Sequence, residues 1–160
     1  MYKTKLNKIW NLIEKIKSDI NLPIISDFLE WFNEKLFLHF KKINPNLNLS
    51  KWDIFFVDLW KNIWSELNKK RPCLIFSTGL FNKTNTVIII PLKSYKWKTN
   101  KSTQILIESK YLKSKSIIDC LSIRQIDKKR INNYIWKLGK SNQNRVDKKI
   151  VRIFWLKNKE

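Results

Sequence analysis

The sequence predicts an α+β chain. A helical hairpin over residues 1–48 precedes a small antiparallel β-barrel, or strongly bent sheet, with a C-terminal helix over residues 49–160. Three observations predict it. Apolar residues recur at three- and four-residue steps before residue 48, short β-rich runs separated by polar loops fill the middle, and helical spacing returns after residue 140. With 43 % hydrophobic residues the chain has enough apolar surface for a packed core, which argues against a disordered polymer.

In the first part, Leu6, Ile9, Trp10, Ile13, Ile16 and Ile20 lie along one face of an amphipathic helix. Leu22-Pro23 is expected to end it. Ser26 and Asp27 can cap a second helix, whose apolar face carries Phe28, Leu29, Phe32, Leu36 and Phe40. His39 lies near that face and reads as a packed or surface histidine rather than a catalyst. Residues 44–48 (Asn-Pro-Asn-Leu-Asn) form a linker. Isolated short helices are marginal in water, so the hairpin is expected to dock on something.

Beyond Ser50, residues 54–58, 73–77, 86–91, 104–108 and 116–124 are five strand candidates. Their spacing suits a small barrel or bent sheet. Residues 127–130 (Asp-Lys-Lys-Arg) suit a turn or a single helical turn. Leu138-Gly139 precedes Ser141, a candidate cap for a last helix with Val146, Ile150, Ile153 and Phe154 on one face. Internal repeats, a P-loop, paired-cysteine zinc spacing and a nucleophile elbow are absent from the sequence.

Charge carries more information about partners. Lys and Arg total 33 against 13 Asp and Glu, a net +20. Residues 1–50 account for +3 and residues 51–160 for +17. Such an excess in one part fits a polyanionic partner, RNA or DNA. An AT-rich coding sequence also enriches Lys, Ile and Asn, so charge alone does not decide. No apolar run approaches the ~18 residues of a membrane span, and the N-terminus lacks the apolar core of a signal peptide. Cys73 and Cys120 lie in apolar runs and read as reduced, buried thiols. With no export signal, a cytoplasmic location is expected. Two distant cysteines and the lone His39 do not make a metal site, and no cofactor is expected.

The expected functional centre is the basic loop Asn68-Lys69-Lys70-Arg71-Pro72 running into the apolar Cys73-Leu74-Ile75-Phe76. Pro72 keeps Arg71 out of the helical region and at a strand entrance. A second strand mouth carries Leu92-Lys93-Ser94. An arginine from one mouth and an amine or hydroxyl from the other can converge on a phosphate.

From Trp52 to about Leu156 the chain resembles the PemK/MazF toxin family of endoribonucleases. Asp53-Ile54-Phe55-Phe56-Val57-Asp58 is similar to the family's first strand, and Ser65-Glu66 stands in its Ser-Glu-Gln loop, before Lys70-Arg71-Pro72. Pro91-Leu92-Lys93-Ser94 is similar to its Pro-Leu-Thr-Ser element, and the segment from Ile123 to Arg130 to its Ile-Arg-Thr-Ile-Asp-Lys segment. Lys137-Leu138-Gly139-Lys140 then leads into the closing helix. The resemblance implies an SH3-like barrel, a homodimer, and metal-independent cleavage of single-stranded RNA. The ribose 2′-hydroxyl attacks, leaving a cyclic phosphate and a 5′-hydroxyl. It also implies control by an antitoxin whose acidic tail covers the RNA groove.

By this resemblance Arg71 is the catalytic arginine. Glu66 is either a base or orienting group or a loop carboxylate that holds Arg71, while Ser94 hydrogen-bonds a phosphate or the 2′-hydroxyl. Lys93 stands where the family has an active-site threonine; it offers charge to a phosphorane but no hydroxyl. Ser65, Lys69, Lys70, Lys96 and Arg124 are RNA-binding candidates, Arg124 more as a groove-lining or structural residue than a catalyst. Leu67 replaces the loop glutamine, and Leu121-Ser122 stands where an acid and glutamine are usual. These departures leave an alternative: a weak or inactive basic barrel that binds nucleic acid or an acidic protein.

The tryptophans depart from the pattern in another way. Trp52, Trp60 and Trp64 occupy positions where the family pattern has glycine, and Trp136 sits near a Lys-Leu-Gly turn. The chain has 8 Trp and 2 Gly, against an ordinary glycine share of about 7 %. Either these residues are real stacking platforms for bases, or they are glycines encoded by UGA and decoded here as tryptophan.

Overall fold

A computed structural model describes residues 2–16, 22–44, 47–59 and 70–154. The chain divides into two units, Met1–Phe40 and Lys41–Glu160. Trp60, Trp64, Ser65, Glu66, Leu67 and Lys69 lie outside the described residues, as does Ile20.

The first unit holds helices α1 (Tyr2–Ile16) and α2 (Leu22–Phe40). Leu22-Pro23 opens the second helix rather than closing the first. A proline is tolerated in a first turn because the missing N–H has no helical partner there. Ser26 and Asp27 therefore lie inside α2 and not at its cap. Ile9, Trp10, Phe28, Leu29, Phe32, Leu36 and Phe40 are exposed. His39 is also exposed, with its ring edge-on to Phe40 at 5.3 Å.

Among the described residues the second unit is built on seven antiparallel strands: β1 (Asp53–Asp58), β2 (Lys70–Ile75), β3 (Thr86–Ser94), β4 (Gln104–Ile107), β5 (Ser116–Asp119), β6 (Arg124–Asp127) and β7 (Ile131–Lys137). Helix α3 (Lys140–Ile153) follows. The strand order is β4-β5-β3-β2-β1-β7, with β6 also paired to β3. No ladder joins β4 to β7 among the described residues, so the sheet is not closed by pairing, an arrangement compatible with a barrel-like fold.

The organising strand is β3. On one edge Ile89–Pro91 pair with Ile75, Leu74 and Cys73 of β2. Along the other edge Thr86–Ile89 pair with β6 and Leu92–Ser94 with β5. The run 116–124, expected to be one strand, is thus two strands separated by a 3₁₀ turn at Cys120–Ser122. The turn carries the chain from its pairing with Leu92–Ser94 to its pairing with Thr86–Ile89. A further 3₁₀ turn at Lys128–Arg130 occupies the segment expected to turn, and Asp127 accepts a hydrogen bond there from the Lys129 backbone at 2.7 Å.

Strand β7 was not legible in the sequence. Its Ile-Asn-Asn-Tyr-Ile-Trp-Lys composition has weak β-propensity at the asparagines, and its register on β1 shifts twice, between Ile54 and Phe55 and between Phe55 and Val57. A bulge breaks the two-residue alternation that marks a strand. Trp136 accordingly lies in this strand, opposite Ile54, with its ring stacked on Tyr111 at 6.0 Å, and not in a turn. Trp52 is different. At φ 79° it is the one non-glycine residue with positive φ among the described residues. Its N–H donates to the Ile75 carbonyl at 2.8 Å, and its carbonyl accepts from Leu138 N–H at 2.8 Å. These two bonds fix the left-handed turn at the entrance to β1.

Apolar side chains form two buried clusters. One unites Ile54, Leu74, Ile90, Leu92, Ile105 and Ile118 with Val146 and Ile150 of α3. The other unites Phe55, Val57, Cys73, Ile75, Val87 and Ile89 with Ile126 and Ile131. Along α3, Val146 and Ile150 are buried, Ile153 is partly buried and Phe154 is exposed. The helix begins at Lys140 behind Gly139, so Ser141 lies in its first turn. Buried Gln143 donates to the Leu138 carbonyl at 2.6 Å and ties the helix start to the end of β7.

Candidate phosphate-binding site

The site is built where β2, β3, β5 and β6 lie side by side. Arg71, the second residue of β2, is level with Val57 of β1. Pro72 follows it, opposite Phe56, which holds the segment extended at the strand entrance. The Arg71 guanidinium Nη1 donates to the backbone carbonyl of Leu92 on β3, at 3.4 Å. Leu92 is the residue before Lys93, so the two cationic side chains arise from adjacent strands at one level.

Lys93 pairs with Ile117 of β5, and Asp119 lies two residues further along that strand. Residues two apart on a strand share a face. The Lys93 ammonium reaches along this face to Asp119 Oδ2 at 2.7 Å. Asp119 is buried, 8 % exposed, whereas the Lys93 side chain retains 31 % of its exposure.

Arg124 starts β6, where it pairs with Ile89. Burial pushes the Arg71 guanidinium below its ordinary pKa, Cys73 opposes that shift, and the like charge of Arg124 adds to it. Arg130 behaves similarly. Burial lowers it, Asp127 and Asp58 pull it back up, and Arg124 again lowers it. Its Nη1 donates to the Asp58 carbonyl at 3.3 Å. Arg124 therefore adds like charge to both Arg71 and Arg130, and a bound anion would offset it.

The remaining candidates are more dispersed. Ser94 ends β3 opposite Ser116 and is exposed. Lys70 is exposed, with its ammonium 5.9 Å from the Phe56 ring, and Lys96 is exposed in the loop after β3. Ser65, Glu66 and Lys69 fall outside the described residues. Two members of the site were not singled out from the sequence. Asp119 had a signal, because a carboxylate in the apolar run Ile117-Ile118-Asp119-Cys120 needs a partner. Arg130 had none, since a turn arginine gives no hint of its burial.

The arrangement can hold a phosphodiester. Arg71 offers a planar fork of donors, Lys93 a compact ammonium from the adjacent strand, and Arg124 further positive potential. Neither cysteine takes part. Burial pushes the Cys73 thiol far up, and the Cys120 thiol up to about 11.

Comparison with known proteins agrees with this architecture. A family model described as "PemK-like, MazF-like toxin of type II toxin-antitoxin system" matches residues 50–154. Among solved structures, a MazF from Deinococcus radiodurans superposes with a TM-score of 0.61 at 13 % identity, over 69 % of this chain and all of that one. A mycobacterial endoribonuclease in complex with its cognate antitoxin gives 0.56 at 15 % identity, over 69 % of this chain and 98 % of that one. The Mycobacterium tuberculosis toxin MazF-mt6 gives 0.54 at 18 % identity, over 66 % and 98 %. No curated protein matches the chain.

Proposed function

Because the chain belongs to the PemK-like, MazF-like toxins of type II toxin-antitoxin systems, we propose that it is a metal-independent endoribonuclease that cleaves single-stranded RNA. The observation that supports this reading is that Arg71 of β2 reaches the carbonyl of Leu92, the residue before Lys93 on β3, while Arg124 adds like charge to Arg71. In the reaction, a ribose 2′-oxygen attacks the adjacent phosphorus and gives its proton to a base, for which Glu66 is the candidate. The bond to the 5′-oxygen breaks, and that oxygen takes up a proton. The products are a 2′,3′-cyclic phosphate and a 5′-hydroxyl. Arg71 and Lys93 supply positive charge where the phosphorane oxygens gain negative charge, the most effective place for fixed charge to act. Ser94 would hydrogen-bond the phosphate or the 2′-hydroxyl, and Ser65, Lys69, Lys70, Lys96 and Arg124 would line the RNA path.

A basic surface of this kind also suits an acidic antitoxin tail, the family implies a homodimer, and the cytoplasm is the location expected for it. A second reading has an observation of its own. Lys93 stands where the resemblance places an active-site threonine and offers no hydroxyl, which favours a barrel that binds RNA or an acidic protein without cutting it. Incubation with single-stranded RNA in EDTA, with ends mapped by mass spectrometry, separates the two. Cyclic-phosphate ends that vanish in Arg71→Ala support the nuclease. RNA that is bound but intact supports the binding module.

A further inference from the structure

We infer that Asp119 is a positioning residue for RNA cleavage: its buried carboxylate fixes the ammonium of Lys93, the residue that follows the carbonyl holding the Arg71 guanidinium. The inference rests on the endoribonuclease reading of the site, and it concerns a residue for which packing gives no sufficient reason.

Asp119 closes β5, whose neighbouring residues Ile117, Ile118 and Cys120 are all buried and apolar. A carboxylate here loses its hydration, and an ion pair repays that loss only when its remaining lone pairs are satisfied. They are not. Oδ2 meets Lys93 at 2.7 Å, but Oδ1 is buried without a hydrogen-bond partner among the described residues. Buried pairs of this sort are often matched or bettered by apolar residues of similar volume. As a contribution to stability the pair is weak, and its distinctive effect is on position.

That effect follows from the strand arrangement. Arg71, Lys93 and Asp119 stand on three adjacent strands, β2, β3 and β5. Lysine is a point charge on a stem with four rotatable bonds, so an untethered ammonium samples many places. Arg71 is held by the Leu92 carbonyl. Asp119 supplies the corresponding restraint for Lys93, from the opposite side of β3. With both cations restrained, a phosphate meets a preformed pair instead of ordering a mobile side chain. Asp119 also offsets part of the Lys93 charge. Its removal should therefore impair the chemical step without impairing RNA attraction.

The test is a double-mutant cycle on the full chain: wild type, Lys93→Met, Asp119→Asn and the double variant, assayed on a fluorogenic single-stranded RNA. Positioning predicts that Asp119→Asn lowers kcat about tenfold, with KM unchanged or lower. It also predicts that the double variant is no slower than Lys93→Met alone. Losses that multiply in the double variant, or that follow the melting temperature, overturn the inference. Asp119→Glu keeps the charge and moves it by one methylene, which guards against a variant that misfolds. Reduced kcat at wild-type stability supports positioning, and wild-type kcat overturns it.

A second readout separates this inference from the function it rests on. The same four proteins are titrated with an uncleavable 2′-deoxy oligonucleotide. A positioned ammonium makes Lys93→Met weaken binding about tenfold in the wild-type background, but less than about threefold in Asp119→Asn. Wild type that binds yet cuts no RNA defeats the nuclease reading and leaves this cycle to decide on Kd. Cleavage with equal Lys93→Met losses in both backgrounds defeats positioning alone. Neither cleavage nor binding defeats both.

Discussion

Replacing Trp52 by alanine and by glycine isolates the strain at the turn before β1. Trp52 lies at φ 79°, where a Cβ crowds the following carbonyl at a cost of about 1–2 kcal/mol. Both replacements remove the same ring. They lose its edge contact with Phe76 at 5.8 Å and the Lys51 ammonium 4.3 Å above it. Those losses cancel when the two variants are compared with each other. What remains is the Cβ penalty, which alanine keeps and glycine escapes, set against glycine's greater freedom in the unfolded chain, about 0.4–1 kcal/mol. The expected balance favours Trp52→Gly over Trp52→Ala by about 1 kcal/mol, or ~4 °C in Tm, the reverse of the order at ordinary positions. Thermal and urea unfolding of the two proteins measures it. An alanine variant as stable as the glycine variant would refute the strain argument and remove the structural motive for a glycine at this position. Sequencing the eight tryptophan codons examines the broader proposal that UGA encodes glycine; UGG at all eight sinks it.

Other expectations follow from the same structure. Arg71→Ala should lower RNA cleavage by about 10²–10³-fold, by analogy with loss of one transition-state donor, and should flatten the salt dependence of binding; an unaltered rate places the chemistry elsewhere. Ile118→Ala, fully buried in the cluster with α3, should cost about 2–5 kcal/mol in urea unfolding. Asn82→Ala removes donors to the Leu49 and Ser77 carbonyls and the acceptor for the Ser77 hydroxyl. It should destabilise by about 1–3 kcal/mol, since it leaves the buried hydroxyl to find a new partner. The Cys120 thiol, raised by burial from 9.0 to about 11, binds a proton in the folded state that the unfolded chain releases. Its contribution is complete below pH 9 and is lost as the pH rises to about 11, so Cys120→Ala should show a flatter Tm profile over that window.

Much of the fold was legible because local pattern and tertiary demand agreed. The apolar runs at 54–58, 86–91 and 104–108 need buried faces in any arrangement, and each became a strand. The elements that escaped were decided by long-range geometry. Strand β7 owes its pairing to a bulged register on β1 that no local signal encodes. The break at Cys120–Ser122 falls between two ladders on β3, at Leu92–Ser94 and at Thr86–Ile89, a long-range pairing that the local sequence does not show. Pro23 looked like a stop signal, yet a first-turn proline and a terminating one read alike until the neighbouring chain is placed. At the site, Arg71 and Lys93 were visible as residue types at strand mouths. The Asp119 contact was not, because a salt bridge across strands 26 residues apart depends on the β3–β5 register.

That register is held unusually firmly. Strand β3 takes part in three ladders, with β2, β5 and β6, and a slip of one residue in any of them would turn its apolar set outward. The same constraint fixes the cations of the proposed site, because Lys93 and the carbonyl that anchors Arg71 belong to consecutive residues of this strand. Their placement is thus inherited from the hydrophobic code of the sheet. Substitutions that loosen Ile89, Ile90 or Leu92 should blunt turnover before they unfold the protein, whereas insertions in the exposed loop after Ser94 leave the spacing of the cations intact.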